Sequence, residues 1–247
     1  MARGKVFIGV AGWQAPAALR GVPAGKSHLA RYSAIFNAVE INTSFYRAHQ
    51  RQTYEGWAHS TPDHFRFCVK APKSISHERG LEEANALIDG FSQQVQGLGK
   101  KLDLILVQLP PTLAFSERKV RTFLQKLREC IPVNIVVEPR HMSWFTEDAE
   151  SCLSGAGVAR VAADPGRYPS ADQPGGARDL NYYRFHGSPR IYYSDYGAAA
   201  LKRIESTLNE RAAAGACVWC IFDNTAAGSA TKNAMSLARR FSLPAMQ

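Results

Sequence analysis

Acidic, basic and imidazole side chains follow several short apolar runs of this sequence, and their spacing would let them act together. Glu138 and Arg140 come directly after residues 135–137, a β-branched run that is typical of a strand buried on both faces. Side chains two residues apart on a strand point to the same side of it. Three pairs of polar residues share this spacing: Glu40 with Asn42, Glu138 with Arg140, and Arg184 with His186.

These residue types predict acid/base chemistry on a small anionic substrate. Carboxyl groups and an imidazole can move protons, and crowding pushes their pKa values apart. Lysine, and arginine in bidentate fashion, can hold a phosphate or a carboxylate. The candidate catalytic residues are Glu40, Glu138, Asp164 and His186. The candidate substrate-binding residues are Asn42, Lys70, His77, Gln108, Arg140, His141, Arg184 and Asn224. A hydrolase, a lyase or an isomerase would fit this set, and the sequence names no cofactor.

The elements that must position these residues alternate along the chain. Eight strand-like runs are expected: 5–10, 38–41, 65–69, 102–109, the run ending at Glu138, 158–163, 182–186 and 217–222. About seven helices are expected between or after them: one capped by Ser27, 53–59, 82–96, 116–130 with Ser116 as cap, one capped by Thr146, 195–214 and 228–241. Residues 165–176 are irregular where an eighth helix would stand.

Strict alternation of strands and helices favours a single TIM-like (β/α)8 barrel over residues 1–247. The alternative is an open doubly wound sheet, which usually carries a glycine-rich phosphate-binding turn after its first strand. Residues 9–12, Gly-Val-Ala-Gly, match that turn only weakly. The candidate residues follow the C-terminal ends of the strands, which is where barrels carry their active sites. The competing interpretation is an internal web of salt bridges that leaves nothing for a substrate.

The net charge and the aromatic residues of the sequence indicate which kinds of partner the protein could bind. Lysine plus arginine exceed aspartate plus glutamate by 30 − 21 = 9, which suits an anionic partner. A small anion is the first expectation. Nucleic-acid binding or nuclease action is the alternative, with Trp13, Tyr46 and Trp144 as stacking surfaces, although these aromatics can equally be packing residues. A non-catalytic binding protein is a further alternative, because fold does not fix function.

Two other classes of function find less support. A divalent metal held by Glu40, Glu138, Asp164 and His186 would be repelled by the three cations at the same mouth, so no metal ligand is assigned. No apolar run approaches the roughly 20 residues that cross a bilayer, and the N-terminus has no signal-peptide core. We therefore expect a cytoplasmic protein with no membrane partner, whose five cysteines are reduced.

Six segments in this order resemble the family called domain of unknown function seventy-two, the YecE-like proteins. They are VEINTSFYR at 39–47, FCVKAPK at 67–73 with His77, QLPP at 108–111, EPRHMSW at 138–144, YRFHG at 183–187 and FDNT at 222–225. The resemblance covers nearly the whole chain and implies a TIM-like barrel, but it carries no catalytic assignment. The candidate residues above match the family's recurring polar positions. Many members have an aromatic-rich first loop, whereas residues 14–26 contain no Trp or Tyr.

Overall fold

Strands and helices alternate along residues 3–14 and 27–241, which are the residues that the computed structural model describes. The strands are β1 Val6–Val10, β2 Ala38–Ile41, β3 Arg66–Lys70, β4 Leu102–Gln108, β5 Asn134–Glu138, β6 Ala159–Arg160, β7 Ala162–Asp164, β8 Gly175–Gly176, β9 Leu180–Phe185 and β10 Cys217–Phe222. The helices are α1 His28–Ser33, α2 Arg51–His59, α3 Asn85–Val95, α4 Glu117–Cys130, α5 Glu147–Gly155, α6 Ala198–Ala213 and α7 Ser229–Ala238. Residues 15–26 of the first loop lie outside this description.

The strands form two sheets in a mixed α/β fold. One sheet has the order β1-β10-β9-β7, and the other has the order β2-β3-β4-β5-β6-β8. Every pair is parallel except β6 with β8. Parallel pairing and the alternation with helices were expected, but a single closed barrel was not found. The hydrogen-bonded ladder is interrupted at two seams, and each seam has a physical cause.

The first seam lies between β1 and β2, where side chains replace the backbone ladder up to the bond from Gly12 N to Glu40 O at 2.9 Å. The hydroxyl of Tyr32 accepts from Val10 N at 2.8 Å and donates to Ala38 O at 2.9 Å. The amide of Asn37 accepts from Ile8 N at 2.9 Å and donates to Val6 O at 2.8 Å. Backbone groups that the other strand would satisfy in a ladder are therefore satisfied by these two side chains.

The second seam divides the expected sixth strand at Val161. β6 pairs with β5, whereas β7 pairs with β9 in the other sheet. Between them, Val161 N donates to Val137 O at 2.9 Å. One continuous stretch of chain thus passes from one sheet to the other.

The helix boundaries follow the expected caps at two of three positions. Ser27 Oγ accepts from Ala30 N at 3.1 Å, and Thr146 Oγ1 accepts from Ala149 N at 3.4 Å. Ser116 precedes α4 but makes no capping bond with its side chain. The segment expected to be irregular contains no helix, and it ends in β8, which pairs with β6.

The alternation of side chains along the strands divides the core into two layers. An inner cluster lies between the sheets and includes Phe7, Cys68, Leu106, Tyr182 and Trp219. A larger outer cluster packs the strands against the helices. The inner side chains change from apolar to charged towards the C-terminal ends of the strands. Within the described residues, no helix has both the length and the apolar character to span a bilayer.

Candidate functional site

A fully buried guanidinium stands at the centre of the charged layer. Arg184, on β9, donates from Nε to Glu40 Oε2 at 3.0 Å and from Nη2 to Glu40 Oε1 at 2.7 Å. It also donates from Nη1 to Glu138 Oε2 at 2.5 Å and from Nη2 to Asp223 Oδ2 at 3.0 Å. These carboxylates raise the pKa of Arg184 against the opposing effect of burial. Arg184 was expected to bind substrate, but its nitrogens are engaged by protein carboxylates, so it organises the site instead.

The imidazole of His186 is held between two carboxylates. Nδ1 lies 2.9 Å from Asp223 Oδ2, and Nε2 lies 3.0 Å from Glu138 Oε1. Burial opposes a charge on this ring, but Glu138 and Asp223 outweigh it and raise the pKa of His186. Arg140 Nη2 also lies 3.3 Å from Nε2, but the shortest contact of each nitrogen is with a carboxylate oxygen. Because of these two contacts and the raised pKa, we assign the imidazolium form, which donates from both nitrogens. His186 therefore stores a proton next to two acids.

Glu138 is the carboxylate that connects this ring to the mouth. Its Oε1 accepts from Arg140 Nη2 at 2.5 Å as well as from His186, and its Oε2 accepts from Gln108 Nε2 at 3.2 Å. Burial would raise the pKa of Glu138, but Arg184 and Arg140 hold it well below the usual range. The side chain of Arg140 keeps 21% of its surface exposed, so this cation is partly open to solvent.

Lys70, at the end of β3, is a buried cation without a carboxylate partner among the described residues. The residue is 5% exposed, and Nζ lies 4.0 Å from the centroid of the Phe45 ring. Burial first, and the charge of Arg184 second, lower the pKa of Lys70 to about 8 against the pull of the three acids. Its amine is therefore partly neutral near physiological pH.

Asp164 is not brought into this cluster. Its partner across the ladder is Phe185, which belongs to the outer layer, so alternation turns the Asp164 side chain towards the helices. It lines a cavity of about 360 Å³ together with Arg203 and Thr207. Burial raises the pKa of this carboxyl. The sequence predicted Asp164 beside the other acids, but its register with Phe185 places it on the outer side of the sheet instead.

Asn224 and His141 are both engaged in hydrogen bonds with other residues of the chain. Asn224 Nδ2 donates to Ser194 O and to Asn233 Oδ1, both at 2.9 Å. His141 Nδ1 accepts from Ser143 N at 3.2 Å and caps the 3₁₀ turn Met142–Trp144. Both residues were expected to bind substrate; Asn224 Nδ2 is engaged by a backbone carbonyl and a side-chain amide, and His141 Nδ1 is engaged by a backbone N–H.

Asn42 and His77 lie beside the cluster. Asn42 lines a cavity of about 480 Å³ together with Gly12 and Thr225. His77 packs its ring against Phe45 with centroids 4.9 Å apart, on the aromatic ring that Lys70 also contacts. Burial, Lys70 and Arg140 lower the pKa of His77, so this imidazole is neutral near pH 7. It is a proton acceptor at the edge of the mouth.

Two members of the cluster were not among the expected site residues. Asp223 bonds to both Arg184 and His186, and the Tyr182 hydroxyl donates to Glu40 Oε2 at 2.8 Å. The two-residue alternation of side chains along a strand could have identified them. Tyr182 lies two residues before Arg184, and Asp223 lies two residues after the inward-facing Ile221.

Exposed apolar side chains surround the mouth. Five of the large exposed hydrophobic residues lie in loops that follow β2, β5 and β9: Tyr46, Met142, Ile191, Tyr192 and Tyr193. Tyr192 stands edge-on to His186, with centroids 5.9 Å apart. Trp144 and Trp13 do not join this rim. Trp144 is buried and donates to Leu113 O, and Trp13 packs against Trp57.

No group of three or more potential ligand side chains is placed to hold a metal ion within the described ranges. Arg184 occupies the oxygens that a metal would need. A cavity of about 890 Å³ lies at the opposite end of the strands, lined by residues such as Asn181 and Ala216, and is remote from this chemistry.

Comparisons with known proteins agree on one family. The model of a family described as "Protein of unknown function DUF72" matches residues 7–247. The protein YecE of Escherichia coli K12 is 31% identical over 166 residues, which cover 64% of this chain and 59% of that protein. The protein YunF of Bacillus subtilis 168 is 24% identical over 258 residues, covering 92% of each.

Two solved structures of DUF72 family proteins are similar to this chain. A DUF72 family protein of Thermotoga maritima MSB8 superposes with a TM-score of 0.77 at 26% identity, covering 96% of this chain and 99% of that chain. Another, from Enterococcus faecalis V583, superposes with a TM-score of 0.81 at 21% identity, covering 97% of this chain and 96% of that one. The second likeness concerns the fold alone.

Proposed function

This chain belongs to the DUF72 family, a family of unknown function, and we propose from the geometry of its site that it is an enzyme acting by acid/base chemistry on a small anionic substrate. Arg140 holds the phosphate or carboxylate of the substrate, and Lys70 contacts the substrate beside it. His186 and Glu138 transfer protons. Glu40, Arg184 and Asp223 keep these groups in position.

The observation that carries this proposal is the surplus of cations in the cluster. Three carboxylates, those of Glu40, Glu138 and Asp223, face four cations, those of Arg184, Arg140, Lys70 and the His186 imidazolium, so the surplus is 4 − 3 = 1. In a purely structural web each buried cation has an acid partner, because an unpaired buried charge is costly. A positive mouth with one unpaired lysine is suited to an anionic ligand.

The second part of the proposal concerns how the two sheets are arranged around this site. We propose that the two sheets, counting β6 and β7 as one unit and β8 as an addition, form one TIM-like barrel domain over the chain. Side chains close its first seam, where Ala11 also bridges to Glu40, and continuous chain closes its second. The charged cluster then lies at the C-terminal mouth of that barrel, the usual place for an active site.

Thermal melting with anions tests the proposed function. Inorganic phosphate, glycerol phosphate and pyruvate are added separately, with chloride at matched ionic strength as reference. At 100 times its Kd, a bound anion stabilises the folded state by about 2.7 kcal/mol, or roughly 5–10 °C in Tm. Arg140→Ala is expected to abolish the shift. Arg121→Ala, which removes an exposed arginine of α4, is expected to keep it.

The result that would overturn the proposal is an equal shift, or none, in the wild type and in Arg140→Ala. A pocket that binds the anion through Arg140 cannot behave in that way. The cluster would then be a structural web.

A second candidate function is the binding of single-stranded nucleic acid, and the exposed aromatic rim favours it. Tyr46 is 72% exposed, and Arg190 stacks on Tyr193 with its guanidinium carbon 4.0 Å from the ring centroid. Aromatic rings beside cations can stack bases of any sequence. Fluorescence anisotropy with a labelled single-stranded oligonucleotide tests this candidate. Tyr192→Ala should weaken binding, Leu87→Ala on α3 should not, and an absence of binding at low salt would exclude it.

A further inference from the structure

We propose that the amine of Lys70 is a nucleophile that forms an imine with a carbonyl substrate bearing a carboxylate or a phosphate. This inference rests on the proposed function and names its substrate class: an oxo acid, or a phosphorylated aldehyde or ketone. Arg140 would hold the anionic group while Lys70 takes the carbonyl carbon. The chemistry narrows the reaction to the lyase or isomerase type that proceeds through an imine.

The surroundings of Lys70 differ from those of a structural lysine. Its Nζ rests over the Phe45 ring at 4.0 Å and makes no hydrogen bond or ion pair with the described residues. The amine is therefore enclosed but has a free lone pair when neutral.

Lys101 shows what a satisfied lysine looks like in the same chain. Its Nζ donates to Ala58 O at 2.7 Å and to Thr61 O at 2.6 Å, and it lies 3.9 Å from Asp63. Burial lowers the pKa of Lys101 as well, but its protons are used to tie α2 to the segment that precedes β3. The absence of such acceptors around Lys70, within the described residues, is what separates a reactive amine from a structural ammonium.

The protonation state of Lys70 suits a nucleophile. With a pKa of about 8, roughly a tenth of the amine is neutral at pH 7, about two orders of magnitude more than for an ordinary lysine. Desolvation of this kind activates lysines that attack carbonyl groups. The charged groups that act on it are the acids Glu40, Glu138 and Asp223 and the cation Arg184, and Lys70 in turn acts on His77, which packs beside Phe45.

The bond changes balance without an oxidant or a further reactant. The neutral Lys70 amine attacks the carbonyl carbon, so a C–N bond forms and the carbonyl π bond breaks. The carbonyl oxygen then leaves as water, taking one proton from the amine and one from the His186 imidazolium. The product is a protonated imine, and the positive charge has moved from His186 to that nitrogen. Glu138 and Asp223, which lower the energy of the imidazolium, lie close enough to stabilise the new cation as well.

Reductive trapping tests the inference. The full chain is incubated with pyruvate, or separately with glycolaldehyde phosphate, and sodium borohydride reduces any imine to a stable secondary amine. Intact mass and peptide mapping are expected to show one adduct, on the peptide that contains Lys70, formed about a hundredfold faster than on an ordinary exposed lysine. The adduct should disappear without the carbonyl compound and in Lys70→Arg and Lys70→Met. It should persist in Lys101→Arg.

The outcomes separate the inference from the function on which it rests. Adducts spread over surface lysines, or none at Lys70, would overturn the imine. If inorganic phosphate still shifts Tm in an Arg140-dependent way, the anion site stands and only the covalent step has failed. If both the shift and the adduct are absent, the proposed function fails together with the imine.

Discussion

Arg184 donates two hydrogen bonds to Glu40, at 3.0 Å and 2.7 Å, and both side chains are fully buried. Glu40 lies on β2 in one sheet, and Arg184 lies on β9 in the other. The pair therefore fastens the two sheets to each other at the charged end of the core. A buried bidentate pair of this kind adds geometric specificity as well as energy.

Arg184→Met is expected to destabilise the protein strongly. The substitution leaves the carboxylates of Glu40, Glu138 and Asp223 buried without their shared cation. Breaking a buried pair by removing one partner costs roughly 3–5 kcal/mol, and more when several acids are left. Urea denaturation at pH 7 measures this loss. Arg121→Met is the control on an exposed arginine. Equal urea midpoints for the two variants would show that Arg184 contributes no more to stability than an exposed arginine does.

One rule of strand geometry, that side chains two residues apart point to the same side, predicts the positions of most charged residues of the cluster. Strand ends and a spacing of two place Glu40, Glu138, Arg184 and His186 on one side, and the structure brings these four together. Asp164 was chosen only because it ends a strand. Its register with Phe185 turns it outwards, while the same alternation turns Asp223 inwards.

Other features depend on contacts that no local pattern contains. The seam between β1 and β2 exists because Tyr32 and Asn37 reach across it, and nothing in the spacing of apolar residues signals those hydrogen bonds. The state of Lys70 is likewise set by desolvation and by Arg184, which lies far away in sequence. The sequence therefore predicted the elements and most of the cluster, but not the breaks in the ladder or the unpaired lysine.

Tyr32→Phe tests the seam. The change keeps the ring and removes the hydroxyl, so the buried Val10 N and Ala38 O lose their partner. An unsatisfied buried polar group costs about 1–3 kcal/mol, and two are left here. Denaturant melting should show a loss of that order. Tyr46→Phe, on the exposed rim, should show none, and a Tyr32→Phe protein as stable as the wild type would mean that the seam is not held by this hydroxyl.

His186 should make stability depend on pH in a defined direction. Its pKa is raised in the folded protein by Glu138 and Asp223 against burial, so the folded state binds the proton more tightly than the unfolded chain. The stability it contributes is fully present below the unfolded pKa of about 6.5 and is lost as pH rises through the folded pKa. The gap in unfolding free energy between wild type and His186→Gln should therefore shrink from pH 6 upwards.

The comparison between those two proteins isolates His186. Lys70, His77 and His49 titrate in both, and their contributions largely cancel in the difference. Urea denaturation at half-unit pH steps gives the profile. A gap that stays constant or widens above pH 6.5 would contradict the imidazolium assigned here.

Lys70→Met is expected to make the protein more stable at neutral pH. The pKa of Lys70 is lowered from 10.5 to about 8, because burial and Arg184 disfavour its charge more than the acids favour it. The charged form therefore costs folding free energy, on the order of 3 kcal/mol at most, below the folded pKa. Methionine has a similar length and no charge, so it removes that cost while filling the space.

The sign of this effect with pH provides the control. Between pH 8 and 10.5 the unfolded chain binds a proton that the folded protein does not, so the wild type gains stability as pH rises. The advantage of Lys70→Met should therefore fade across that window. Lys101→Met should instead destabilise at pH 7, since it leaves Ala58 O and Thr61 O without their donor. If Lys70→Met is also destabilising at pH 7, then Lys70 is a structural residue, and both its place in the anion site and its reactivity lose their physical basis.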